Sequence, residues 1–417
     1  MKSLIRLLLI VFLALAPLLS RSQWSTVRFD STNAFTLVEA VTANDVFVIG
    51  EEPWQGHKFL LRTSDGGLTW DSLAVGAPTD AFDLTELQFT DAANGFVGGV
   101  RVGGTQALLK SVDNGNTWSE ITPQPFSTDG VSALRFRDAL YGLVASDTTL
   151  HRTADGGTTW TSAAMVFRPL DISYAAADTV FACGTNQYDR AIIAKSTDGG
   201  AAWSTVLDVN NAMLFVSRFH LLQALNPDTV FASMQYSNKL MRTLDGGISW
   251  GVVTCDSVLH IVDFHFDDRN TGYVLSGTSQ IFFTDDGGLT WTLDHAAQTG
   301  DFGPLGLWLS IDFAEGVGYL SGTNGVIERN GVTPNNAPIV RPIDAITVYP
   351  NPSNGPVRFD FGDLSGTLSV FNPLGQVVER ARVTRSHSSR ALPDGLLTYR
   401  FVTDAGALYS GKVVVQR

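Results

Sequence analysis

Apolar and polar positions alternate with a period of two along most of this chain. Leu87-Gln-Phe-Thr-Asp91 and Val262-Asp-Phe-His-Phe266 each place apolar side chains on one face and polar ones on the other, the pattern of a half-buried strand. A small-residue run follows each, Gly95-Phe-Val-Gly-Gly99 and Gly272-Tyr-Val-Leu275, and then a third apolar run, Ala107-Leu-Leu-Lys110 and Gln280-Ile-Phe-Phe283. Gly, Asn and Asp punctuate the runs, so tight turns are expected between them. A fourth run begins at a tryptophan.

That fourth run is announced by a motif that recurs six times. It reads Thr63-Ser-Asp65-Gly-Gly67-Leu-Thr-Trp70, Ser111-Val-Asp113-Asn-Gly115-Asn-Thr-Trp118 and Thr153-Ala-Asp155-Gly-Gly157-Thr-Thr-Trp160. It returns as Ser196-Thr-Asp198-Gly-Gly200-Ala-Ala-Trp203, Thr243-Leu-Asp245-Gly-Gly247-Ile-Ser-Trp250 and Thr284-Asp-Asp286-Gly-Gly288-Leu-Thr-Trp291. The aspartates lie 48, 42, 43, 47 and 41 residues apart, a period of propellers and solenoids. Asp-Gly or Asp-Asn followed by Gly supplies the positive-φ positions of a tight hairpin. The carboxylate closes the turn on nearby amides, as does the Ser or Thr two residues earlier. The tryptophan drops an indole between neighbouring sheets. Four short strands per period make one propeller blade.

Leu309-Ser-Ile-Asp-Phe313, Gly318-Tyr-Leu-Ser321 and Gly325-Val-Ile-Glu328 supply three more strands with no box behind them. Trp24-Ser-Thr-Val-Arg-Phe29 resembles a post-box strand that has lost its box. The expected architecture is therefore all-β: a seven-bladed β-propeller whose N-terminal strand completes the last blade, which removes the exposed sheet edge.

The motif resembles the BNR/Asp-box propellers of sialidases, the sortilin ectodomain and some xyloglucan-cleaving glycosidases. The fuller blade, with its Gly-aromatic second strand and T-x-D-G-G-x-T-W ending, is most similar to photosystem II assembly-factor propellers. The resemblance covers about residues 24–330 and implies a fold, not an activity.

Residues 331–345 are rich in Pro and Asn and read as a linker. Beyond it, Val357–Phe361, Thr367–Phe371, Val377–Val383, Leu397–Val402 and Leu408–Val415 are expected strands of a small immunoglobulin-like β-sandwich. This segment, 346–417, resembles the type A sorting domain of the type IX secretion system of Bacteroidota. The landmarks are Val348-Tyr349-Pro350-Asn351-Pro352, Ser369-Val-Phe371 running to Gly375, Leu392-Pro-Asp-Gly395 leading to Tyr399, and Gly411-Lys412-Val-Val-Val415. Asn372-Pro373 stands where an Asp is usual, and Leu396-Leu397 where an aromatic often follows Gly. The resemblance implies a periplasmic intermediate and recognition by an outer-membrane translocon.

At the other end, Lys2 and Arg6 precede an apolar run from Leu7 to Leu19, with Ser20 and Ser22 behind it. That is the order of a signal peptide, residues 1–22. Together with the tail it places the product outside the cell or on its surface, with no stable transmembrane segment after processing. Residues 22–340 hold 16 Lys and Arg against 35 Asp and Glu, which argues against nucleic acid as a partner. Cys183 and Cys255 fall in different repeats and read as two buried thiols.

No catalytic, cofactor-binding or metal-binding residue is expected. The six box aspartates sit on structural turns. Phe167-Arg168-Pro169-Leu170 superficially resembles a sialidase element but lies after three boxes, with no matching arginine triad. Asp263, His265 and Asp267 share a strand face and suggest a hydrated channel more than a metal site. Gly406 to Lys412 imitates a phosphate loop without its Ser/Thr or helix. Asp-Ser/Thr-aliphatic triplets at Asp71, Asp178, Asp228 and Asp256 resemble Bacteroidota O-glycosylation sites but also fit turns entering strands. The expected binding rim is the set of loops joining second to third strands, carrying Trp54 and His57, Arg101, Tyr188 and Arg190, and Tyr236 and Lys239. Aromatic and Arg residues on convergent loops are what recognition surfaces enrich. The function read from the sequence is an exported, non-enzymatic recognition propeller for a protein or glycan; a secreted glycan-active hydrolase and an envelope-complex assembly factor are the alternatives.

Overall fold

The structure, a computed structural model, describes the chain from Trp24 to Gln416 except residues 31, 53–56, 76–81, 102–103, 127–129, 189, 210–217, 297–306, 332–346, 373–376, 390–391 and 404–407. The expected signal peptide, nearly all of the linker, and the residues Trp54 and Gly375 lie outside the described residues. Two compact units result, Met1–Gly331 and Val332–Arg417.

In the first unit the described strands form seven four-stranded antiparallel sheets of the kind that make propeller blades. The first runs Ala34–Ala40, Val46–Glu51, Lys58–Thr63 and Asp71–Leu73. The strands that begin the next five are Phe82–Phe89, Ala133–Phe136, Arg168–Tyr174, Phe219–Ala224 and Ile261–Phe266. The seventh is composite. Trp308–Ala314, Val317–Gly322 and Val326–Asn330 are joined by Trp24–Phe29, which pairs antiparallel with Val326–Asn330. The N-terminal strand thus fills the edge that the missing seventh box leaves open.

One apolar cluster fills each junction between successive sheets. Phe47 of the first sheet stacks on Phe89 of the second at 3.5 Å, Phe96 of the second on Phe136 of the third at 3.5 Å, and Phe231 of the fifth on Phe266 of the sixth at 3.7 Å. Phe35, Val48 and Leu61 of the first sheet share a cluster with Tyr319 and Ile327 of the seventh, so the series returns on itself. Burying each such Phe is worth about 1.5–3 kcal/mol.

In the second unit Thr347–Tyr349, Val357–Phe371, Val377–Ser389, Gly395–Thr403 and Leu408–Val415 pair around a core of Phe359, Leu368, Leu397 and Phe401. The two strands expected at 357–361 and 367–371 are one. The chain stays extended through Gly362, and the irregularity appears as a register shift between Asp360 and Ser365 against the next strand.

Candidate functional site

The boxes close as local chemistry dictates. Asp155 Oδ1 accepts the Thr159 amide at 2.8 Å, and the Thr153 hydroxyl donates to the same oxygen at 2.9 Å while accepting the Gly157 amide at 2.9 Å. The same pair of bonds recurs in all six boxes, for example at Asp65, Asp113 and Asp245. Asp198 differs in accepting the Ala201 amide as well, at 2.9 Å, and in lacking the hydroxyl bond to Oδ2 that Thr or Ser supplies in the other five, since Ala202 stands there. Gly156 and Gly157 hold φ of 72° and 91°, and a Cβ on Gly157 would strike Ile121 of the preceding sheet at 2.7 Å. Hydrogen bonds from Ser249 and Thr290 hold the Asp245 and Asp286 carboxyls down at about 2. The tryptophans wedge between sheets. Trp118 meets Phe89 edge-on, as Trp160 meets Phe136 and Trp291 meets Phe266. Trp70 and Trp203 do the same packing from their own boxes.

Each box also docks onto the first turn of its own sheet. Gly66 N donates to Asn44 O at 3.0 Å, Gly199 N to Asp178 O at 2.8 Å and Gly246 N to Asp228 O at 2.9 Å. A cation from the preceding sheet then caps the box. Lys195 Nζ reaches Gly246 O at 3.0 Å, Arg152 Nε reaches Gly199 O at 3.0 Å and Arg242 reaches Gly287 O at 2.6 Å. These carboxylates and cations have their hydrogen-bonding capacity spent on the scaffold.

Polar side chains of the first strands make a second set of staples that sequence reading missed. Glu39 Oε1 accepts the Phe89 amide at 3.4 Å, and Gln88 exchanges two bonds with the Phe136 backbone at 2.6 and 2.8 Å. Arg135 Nε donates to Ile172 O at 2.9 Å, and Asp171 Oδ2 accepts the Leu222 amide at 2.7 Å. Gln223 holds the Phe266 backbone at 2.7 and 3.0 Å. Asp263 Oδ2 accepts Ile311 N at 2.9 Å, and Asp312 Oδ2 accepts Ala40 N at 2.8 Å. Every junction is bridged in this way, in the same direction, and some carry a second bond, as Ser173 Oγ accepts the Ala224 amide at 3.0 Å. The available signal was a polar residue on each first strand at one of two alternate positions, that of Glu39 or that of Asp171, two residues earlier.

Burial, with Asp312 beside it, pushes Glu39 up to about 8; burial and Asp171 push Glu86 up to about 7; burial pushes Asp263 up to about 7. Burial disfavours the His265 cation, but Asp267 at 3.4 Å and Asp312 at 3.6 Å outweigh it and hold the ring up at about 9. His265 thus pairs with Asp267 and Asp312, while Asp263 accepts the Ile311 and Phe264 amides and the Ser310 hydroxyl. Among the described residues no three His, Cys, Asp or Glu side chains gather where they could hold a metal ion.

The loops joining second to third strands lie at the end opposite the boxes. His57 is exposed there, and its carbonyl accepts the Glu52 amide at 2.9 Å. Arg101 pairs with Glu120 at 2.6 Å and Arg190 with Asp208 at 2.7 Å, both within their own sheets. Tyr188 and Tyr236 stand 73% and 79% exposed, and Tyr236 holds a φ of 56°. Lys239 is half-buried beside Tyr236. The expected residues thus spread over several sheets, with Tyr188, Arg190, Tyr236 and Lys239 on the neighbouring fourth and fifth.

Residues 16–167 match the family model described as photosynthesis system II assembly factor YCF48, and residues 347–416 match the secretion system C-terminal sorting domain. The chain thus carries a YCF48-like propeller domain and a type IX sorting tail. The propeller's solved likenesses include YCF48 bound to D1 peptide (16% identity, TM-score 0.57, 75% of this chain and 97% of that one). YCF48 from Cyanidioschyzon merolae is similar at 16% identity and a TM-score of 0.56, covering 74% and 98%. The extracellular domain of BT4673, a putative one component system of B. thetaiotaomicron, aligns at 10% identity with a TM-score of 0.56, covering 94% and 59%. At these identities the likeness is one of fold. No curated protein matches in sequence. The sorting domain marks the YCF48-like propeller for type IX secretion to the cell surface or the extracellular space.

Proposed function

We propose that this is a closed seven-bladed propeller that acts outside the cell as a non-enzymatic recognition module, binding a protein or glycan through the rim of second-to-third-strand loops. One observation carries the reading. Carboxylates of the box end are bonded into their turns, and Glu39, Asp171, Asp263 and Asp312 of the first strands into sheet junctions, whereas the opposite rim presents tyrosines to solvent. A carboxylate already bonded to two amides is a poor general acid or base. That a propeller of this fold holds a D1 peptide agrees with a recognition role. The second unit, with Tyr349, Pro350, Asn351, Pro352, Gly395 and Lys412 as its landmarks, is read as an immunoglobulin-like sandwich that the outer-membrane translocon engages.

The test is binding of the mature chain to a glycan array and to outer-membrane extracts. Saturable retention lost in a Tyr188→Ala/Tyr236→Ala double variant supports the reading. Turnover of a glycoside by the same preparation would overturn it in favour of a hydrolase.

A further inference from the structure

We propose that the rim of the fourth and fifth sheets binds an anionic glycan, a chain of uronate or sulfated sugars. The inference rests on the recognition reading above and names its ligand class.

Most of the first unit's cations are committed. Among its described residues Arg62, Arg101, Arg135, Arg137 and Arg190 pair with carboxylates, and Lys110, Arg152, Lys195 and Arg242 cap boxes. Arg168, Arg218, Lys239 and Arg269 make no ion pair or side-chain hydrogen bond there. Arg269 follows Asp268 at the box end. The other three share the opposite end.

Arg168 opens the first strand of the fourth sheet, Arg218 immediately precedes that of the fifth, and both are exposed. Arg168 is registered against Thr185, at the edge of the loop that carries Tyr188. Arg218 O accepts the Gln235 amide at 3.2 Å, and Ser237 O accepts the Ile261 amide at 2.8 Å. The Tyr236 loop is thus held between Arg218 and the start of the sixth sheet. His220 lies within the same positive field: burial and the nearby Arg218 push it down to about 4, with His260 contributing.

Arg168, Arg218 and Lys239, without a carboxylate partner among the described residues, leave positive charge at one end of an acidic body, and an anionic partner neutralises it. Tyr236 narrows the choice of anion. A tyrosine in left-handed backbone is costly and uncommon, and here the strain fixes an exposed ring on the loop that the Arg218 carbonyl holds at Gln235 and that runs on to Lys239. An open aromatic face next to guanidinium and ammonium groups suits an acidic sugar, whose C–H face stacks while its carboxylate or sulfate pairs. An acidic polypeptide would satisfy the cations and leave both phenol faces without a ring to cover.

The test is calorimetric titration of the mature full chain with polygalacturonate, dextran sulfate, dextran and polyglutamate. Polygalacturonate or dextran sulfate should bind and weaken with added salt, and dextran should not. Arg168→Ala/Arg218→Ala/Lys239→Ala and Tyr188→Ala/Tyr236→Ala should each weaken binding by about tenfold or more, with unchanged melting. Equal binding by both variants, or polyglutamate binding as tightly and without regard to the tyrosines, overturns the inference. Rim-dependent binding of a neutral glycan or a membrane protein, with none of an anionic glycan, overturns it while leaving the recognition reading intact. Glycoside turnover overturns both.

Discussion

Asp312 in the seventh sheet accepts the amide of Ala40 in the first at 2.8 Å, across 272 residues of chain. It does for the seam what Asp171 and Asp263 do for interior junctions, so the seam is stapled like any other. Asp312→Ala leaves the Ala40 amide without its acceptor and should cost about 1–3 kcal/mol of unfolding free energy in urea. A loss near zero would show that water replaces the carboxylate there.

Stability should depend on pH in two opposing ways. Glu39, Glu86 and Asp263 sit near 8, 7 and 7 in the folded chain, above the roughly 4 of an unfolded carboxyl. Their contribution is complete below pH about 4 and is lost as pH rises through 7 to 8. Asp245 and Asp286, at about 2, contribute fully above pH about 4 and lose that contribution as pH falls towards 2. The melting temperature should therefore peak near pH 4 and decline towards pH 8, with a shallower decline in Glu86→Gln. A melting temperature that rises from pH 6 to 8 contradicts this balance.

Cys183 and Cys255 are both free and buried, in the fourth and fifth sheets. Burial raises the Cys183 thiol well above its ordinary range and pushes Cys255 up to about 12. Neither should react with a disulfide reagent in the native chain, and both should titrate after denaturation without reductant. A titre of zero would reveal a bridge.

The boxes and the seam were legible in the sequence because their bonds are local or their strands complete. Thr153, Asp155, Gly157 and Thr159 lie within seven residues, and the Trp24–Phe29 strand carries the same alternation as the post-box strands. The staples of the first strands were not. Alternation puts Asp171 on the inner face, but its partner amide at Leu222 is 51 residues away, and only the assembled junction shows that the two meet. Asp263, His265 and Asp267 drew attention as a cluster for the same reason: their shared face was visible, and the Ile311 amide and Asp312 opposite were not. In the tail, two strands were expected at 357–361 and 367–371, yet the chain runs on as one and absorbs the irregularity as a shift in register. Of the rim residues, Tyr188 and Tyr236 are exposed, whereas Arg101 and Arg190 found carboxylates and Arg168 and Arg218 were not foreseen there.

The account stands on the box as a structural clasp, and Thr153 offers the cleanest test of it. Its hydroxyl is buried and bonded at once to Asp155 and to the Gly157 amide, whereas Thr158 lies exposed on the same turn. Urea unfolding of Thr153→Val beside Thr158→Val should show a loss of about 1–3 kcal/mol for the first and no more than about 0.5 kcal/mol for the second. Equal, small losses would mean that the box does not hold the sheet together.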